Sequence, residues 1–248
     1  MTRLAALLAA LLALIGCATS SPPAGGRVLI FSHTTGYRHA SIEPAREALR
    51  GVAARQGLAA DASEDPALFD RIETLARYDA IVLLHTTTDP KRLESEWLVG
   101  PRRAALQAYL RGGGGIVGVH AAADSHYGWD WYGRMIGGRF RSHPPGTPEG
   151  ELTVRDSDHP ATRGLPPRFE RVDEWYEYDG VAPSTRPLLT LDPRSIGAAR
   201  DGADPVAWAR EFEGGRVFYT GLGHTEDGWG DPRLLAHVAG GLEWARRR

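Results

Sequence analysis

Three short apolar runs constrain this chain more than anything else in it. Val28, Leu29, Ile30 and Phe31 form the first, residues 80–84 (Ala-Ile-Val-Leu-Leu) the second and residues 115–119 (Gly-Ile-Val-Gly-Val) the third. None alternates with polar residues. Each therefore suits a strand covered on both faces, as in a parallel sheet under two layers of helices. Between the first two, Ala45, Ala48, Leu49, Val52 and Ala53 recur at helical spacing until Gly57, with Ser41 as the expected N-cap and Pro44 in the first turn. Residues 58–63 read as a weaker strand. A second helix is predicted over 100–110, with Leu106 and Leu110 on one face. Alternating strands and helices of this kind make a doubly wound α/β sheet. All three apolar runs lead into a histidine, His33, His85 or His120. Ligands of such sheets bind at the carboxyl ends of the strands.

The third run deserves a closer reading. Gly118-Val119-His120-Ala121-Ala122 has the outline of a nucleophile elbow, a crowded strand-to-helix turn that lifts one side chain above the sheet. That side chain is an imidazole, which binds metals and moves protons at neutral pH but is a poor acyl carrier. Asp124, one turn further on, is placed to orient His120 or to cap the next segment.

The second half reads differently. Residues 129–138 suggest a short helix under a loop, and residues 151–154 and 188–191 short strands. Residues 206–212 and 217–220 form a hairpin around Glu213 and Gly214. The return strand runs through Gly221-Leu222-Gly223 into a fourth histidine, His224. Asp231 and Pro232 open a last helix. If Asp173 to Tyr178 is a strand, Glu174, Tyr176 and Tyr178 share one face.

Composition matters at two points. The 248 residues carry a formal charge of -2 and no basic stripe, which argues against a nucleic-acid partner. The only cysteine, Cys17, lies at the end of an amino-terminal stretch of Leu, Ala and Ile that is too short to span a bilayer but suits a signal peptide. Leu14-Ile15-Gly16-Cys17 resembles the bacterial lipobox, which implies cleavage before Cys17 and lipid attached to it. The predicted organisation is a signal peptide over 1–16, a flexible tether over 17–26 and one domain over 27–248. Its predicted location is the bacterial cell envelope, anchored by lipid and facing the periplasm or the exterior.

Several segments together resemble the ThuA-like (trehalose utilisation) family. They are Phe31 to His39, Gly113 to Asp124, Ser142-His143-Pro144, Asp158-His159-Pro160, Asp173-Glu174-Trp175-Tyr176 and Tyr219 to Thr225. The resemblance covers nearly all of 27–248 in order. It implies the class I glutamine amidotransferase-like superfamily: a flavodoxin-like three-layer α/β sandwich with a mostly parallel sheet plus an added β-hairpin. Amidotransferases carry a cysteine at the elbow, so His120 excludes glutamine hydrolysis through a thioester. The implied substrates are trehalose and related disaccharides, including keto sugars. Two positions depart from the family pattern. His85 stands where relatives often have Asn, and Asp204 stands before the hairpin proline where they often have His.

The residues and the resemblance together nominate a site. His120, His224, Glu174 and Asp124 are the catalytic candidates, with His120 and His224 also candidate ligands of a divalent metal, Zn²⁺ or similar. His33, Tyr37, Arg38, His39, Trp129, Trp131, His143, Trp175 and Tyr176 are candidate sugar contacts, since indole and phenol faces pack on the C–H faces of sugar rings. His159 reads as a turn residue, and His126 and His237 as surface or helix residues. Metal-assisted acid–base hydrolysis or isomerisation of a sugar is the leading function. A non-catalytic sugar-binding lipoprotein feeding uptake is one rival, and a metal-free glycosidase using Asp124 and Glu174 about 5–9 Å apart is another. Self-association is left open. If His120 and His224 act together, their ring nitrogens must converge. As a polar residue at a strand end, His120 is expected to cost little stability when removed.

Overall fold

The apolar runs are strands buried on both sides, and they set the centre of the molecule. In the computed structural model, which describes residues 25–246, β1 (Arg27–Phe31), β3 (Ala80–Leu84) and β4 (Gly115–Val119) lie side by side and parallel. Side chains alternate between two cores. Val28, Ile30, Val82, Leu84, Val117 and Val119 face one. Leu29, Phe31, Ile81, Leu83 and Ile116 face the other. All are at most 1% exposed, and each such aliphatic side chain contributes about 1.5–3 kcal/mol by its burial.

Helices supply both covers. On the first face α1 (Ile42–Arg55) packs through Ala45, Leu49, Val52 and Ala53, and α5 (Pro232–Ala245) through Leu234, Val238 and Leu242. On the second lie α2 (Ile72–Leu75), α3 (Pro101–Arg111) and α4 (Asp130–Ile136), with Leu106, Leu110, Met135 and Ile136 inward. Asp231 caps α5 as expected, accepting from the Arg233 N–H. Ser41 does not cap α1: its backbone is already helical, and its hydroxyl turns inward to His85.

One nine-stranded sheet runs through the molecule, and a two-stranded sheet lies beside it. The parallel half adds β2 (Ala59–Ser63) outside β1 and β11 (Gly215–Thr220) beside β4. The sheet then continues antiparallel through β10 (Asp204–Phe212), β9 (Arg186–Leu191), β6 (Glu149–Val154) and β7 (Arg168–Val172). The antiparallel extension is thus larger than the one hairpin expected. β5 (Arg139–Ser142) pairs with β8 (Glu177–Asp179) in the small sheet. Asp173 to Tyr176 is a loop leading into β8, not a strand. The signal peptide, Cys17 and most of the tether lie outside the described residues.

Register decides where the site can be. Phe31 is level with Leu83, Leu84 with Val119, and Val119 with Thr220. The four strands therefore stop at one edge, and the segments that follow them emerge together.

Candidate functional site

Val119 is the last extended residue of β4, and His120 turns the chain with φ of 47°. A non-glycine residue in this left-handed region costs about 1–3 kcal/mol and persists only where its surroundings enforce it. The enforcing contacts are visible. The Tyr219 hydroxyl donates to the His120 carbonyl at 2.7 Å and is itself paired with the Tyr178 hydroxyl at 3.0 Å. Gly118 makes room for that arrangement, since a Cβ there would sit 3.0 Å from the Tyr219 ring. The expected elbow is present, with an imidazole at its tip.

Four residues from three strand ends and one distant loop meet at this point. His120 Nδ1 lies 2.7 Å from the Gly221 carbonyl. A carbonyl only accepts, so Nδ1 donates there, and Nε2 is left to face His224 Nδ1 at 3.1 Å. Glu174 Oε2 lies 3.3 Å from His120 Nε2 and 3.1 Å from His224 Nδ1. His39, at the mouth of α1, completes the group: one donor atom from each of His39, His120, Glu174 and His224 lies within 4.8 Å of the others. Its ring meets those of His120 and His224 edge-on, with centroids 5.1 and 5.2 Å away, and stacks on His85 at 4.7 Å. The outer oxygen of Glu174 lies 3.3 Å from His143 Nδ1 at the entrance.

The electrostatics follow from this packing. Burial pushes the Glu174 carboxyl up, but hydrogen bonds and charge from His120 and His224 outweigh it and hold the group well below the usual carboxylate range. His224 is raised, chiefly by its hydrogen bond to Glu174 and against its own burial. Burial, then the neighbouring His120 and His224, lowers His39 to about 3. Burial likewise keeps His85 neutral. Asp124 goes the other way: burial raises its carboxyl, against a hydrogen bond from Tyr127.

The geometry fits a metal. A tetrahedral ion with bonds of about 2.0–2.1 Å needs donors about 3.3 Å apart. His120, His224 and Glu174 already stand at 3.1–3.3 Å. His120 gives its other nitrogen to a backbone carbonyl, as metal-bound histidines do. His39 Nδ1 is buried with no hydrogen-bond partner among the described residues. His120, His224, Glu174 and His39 are thus the residues that would hold an ion.

A cavity of about 390 Å³ opens onto this cluster, lined by Tyr37, His39, Asp124, Phe140, His143, Glu174, Tyr176 and His224. His120 is fully buried behind the Tyr176 ring, 4.2 Å away. Phe140 had no sequence signal, being one aromatic in an arginine-rich strand. The remaining candidates take other parts. Asp124 lines the cavity but does not orient His120, whose Nδ1 is taken by Gly221. Trp129 and Trp131 stack on each other at 4.8 Å, and Trp131 donates to Glu213. Trp175 is core, donating to the Pro148 carbonyl. His33 lies against Phe31 and Trp97, and Arg38 is held by Glu64 and Glu43. His126 is a correction, being buried between Trp97 and Tyr132; His237 is a helix residue, as expected, but on the buried face of α5, with Nδ1 2.7 Å from the Ala161 carbonyl.

Comparison with known proteins places the chain. The ThuA family, described as trehalose utilisation, matches residues 27–245. A ThuA-like protein of Bacteroides uniformis superimposes with a TM-score of 0.73 at 23% identity, over 92% of this chain and 94% of its own. One from Parabacteroides merdae gives 0.72 at 20% identity, over 89% of each chain. A cytoplasmic protein of Salmonella typhimurium gives 0.64 at 14% identity, over 89% of this chain and 99% of its own. No curated protein matches. These likenesses share the fold, and the match over residues 27–245 shows the family: the chain belongs to the ThuA (trehalose utilisation) family.

Proposed function

We propose that this site carries out metal-assisted acid–base chemistry on an uncharged sugar. The observation that carries the proposal is the donor set: His120, His224 and Glu174 at tetrahedral spacing, with His39 beside them, on the wall of a sugar-sized cavity. A bound divalent ion would supply Lewis acidity toward a sugar carbonyl or hydroxyl. The chain's own groups divide the remaining work. Asp124, whose carboxyl burial shifts upward, is the candidate acid, and Tyr127 donates to it. Glu174, held ionised, is a ligand or base. Tyr37, Phe140 and Tyr176 offer flat apolar faces to a sugar ring, and His143 reaches hydroxyls at the entrance.

Among the described residues, none that lines the cavity is a lysine or arginine. The arginines nearby are committed elsewhere: Arg38 to Glu64 and Glu43, Arg141 to Glu177 and Asp179, and Arg139 to the carbonyls of His126 and Trp129. Apart from the proposed ion, a phosphorylated or acidic sugar would find no guanidinium or ammonium group to pair with, and Glu174 would repel it. Neutral disaccharides of the trehalose type, or their keto forms, suit such a wall. With the lipobox-like sequence at Cys17, the proposed setting is the cell envelope, on a lipid anchor.

The test is elemental analysis of the purified domain, followed by assays on trehalose and a keto-disaccharide before and after chelation. Stoichiometric metal with chelator-sensitive turnover is the expected result. Turnover that survives complete removal of metal would refute the metal role. Sugar binding without turnover would favour a binding lipoprotein.

A further inference from the structure

We propose that Asp173 is the positioning residue that holds Glu174 and His224 in one donor set, an inference that rests on the metal-site reading above. Glu174 follows β7 and His224 follows β11, and β10, β9 and β6 lie between those strands in the sheet. No strand ladder therefore couples the two side chains. The Asp173 carboxylate does. Its Oδ1 accepts the Glu174 N–H at 3.0 Å and the His224 N–H at 2.9 Å. Its Oδ2 accepts the Gly223 N–H and the Arg171 Nε–H, both at 2.9 Å.

Asp173 is completely buried and takes no part in lining the cavity. Four donors saturate the roughly four lone-pair sites of a carboxylate, so nothing is left over for substrate or ion. Arg171 carries the anchor outward, bonding Asp231 at 2.9 Å, the residue that caps α5. Gly223, with φ of 108°, has no room for a side chain beside the Trp229 ring, whose N–H donates to its carbonyl at 3.0 Å. The carboxylate thus ties a turn of the parallel half to a loop of the antiparallel half.

Asp173→Asn tests this. A carboxamide has one acceptor oxygen, so either orientation sets an NH₂ group against two of the four donors. Zn²⁺ titration of metal-free protein should show an affinity about 10–100-fold weaker, the usual cost of losing a partner that orients metal ligands. Arg171→Lys, which leaves the three backbone bonds in place, should lower the melting temperature and cost much less Zn²⁺ affinity than D173N. Parental affinity in D173N overturns the proposal, as does an equal loss in R171K, which would indicate general loosening. If the parent itself takes up no Zn²⁺, the metal reading falls, and a crystal structure of D173N decides the positioning role separately. Separation of Glu174 Oε2 from His224 Nδ1 is expected, and retention of the 3.1 Å contact refutes it. Should D173N fail to fold, Asp173→Glu keeps the charge but displaces the oxygens by a methylene, and is read the same way.

Discussion

Replacing His120 separates its packing role from its proposed role as a metal ligand. The ring is fully buried, lies 4.2 Å from the Tyr176 ring and donates to the Gly221 carbonyl. His120→Ala removes a packed ring, which costs about 3–5 kcal/mol for larger aromatics and somewhat less for imidazole. It also strands a buried carbonyl, at about 1–3 kcal/mol. The strained φ of 47° remains, since alanine tolerates that region no better. A loss of about 3–5 kcal/mol follows, a large share of the stability of an ordinary domain. His120→Asn keeps a donor near Gly221 and suits the left-handed backbone, so it should lose about 2 kcal/mol less. Both variants should lose metal binding. Urea unfolding at pH 7.5, with metal content measured in parallel, reads both effects. A loss below about 1 kcal/mol for H120A would refute the packing argument and restore the expectation of an inexpensive strand-end residue.

Other tests reach different parts of the chain. Burial lowers His237 to about 4 from its ordinary 6.5. Between those values the unfolded chain binds a proton that the folded chain refuses, so stability falls as pH drops from 6.5 to 4, by about 3 kcal/mol in all. His237→Gln should flatten that part of the pH dependence of unfolding, and an unchanged slope would contradict it. Gly240→Ala should destabilise by more than about 2 kcal/mol despite the better helix propensity, because its Cβ would lie 2.0 Å from the Pro160 carbonyl oxygen; a rise in melting temperature would contradict this. If Cys17 carries the proposed lipid, Cys17→Ser should leave the protein soluble or unprocessed on cell fractionation, since the attachment atom is gone. Ammonia release from glutamine should be absent from the parent and from His120→Cys, because one thiol restores neither base nor oxyanion site.

Much of this was legible in the chain itself. Continuous apolar runs at β1, β3 and β4 have only one economical use, as strands buried on both faces, and that dictates a parallel sheet with helices on each side. Such a sheet sends the segments after its strands to one edge, so His120 and His224 could be paired before any coordinates. The short motifs around them were specific enough to show the family resemblance. Local pattern could not reach further. Histidine is polar by type, yet His126, His237 and His85 are interior, because tertiary packing decides whether an imidazole meets water or a ring. The indoles of Trp129, Trp131 and Trp175 likewise went to the core rather than the cavity. Which side chain holds which depends on residues far apart in sequence: Gly221 rather than nearby Asp124 fixes the His120 proton, and Asp173 sets His224 from 51 residues away. Sequence periodicity records which face of an element is apolar. The pairing of polar groups is settled only when the strand ends come together and each buried donor must find an acceptor.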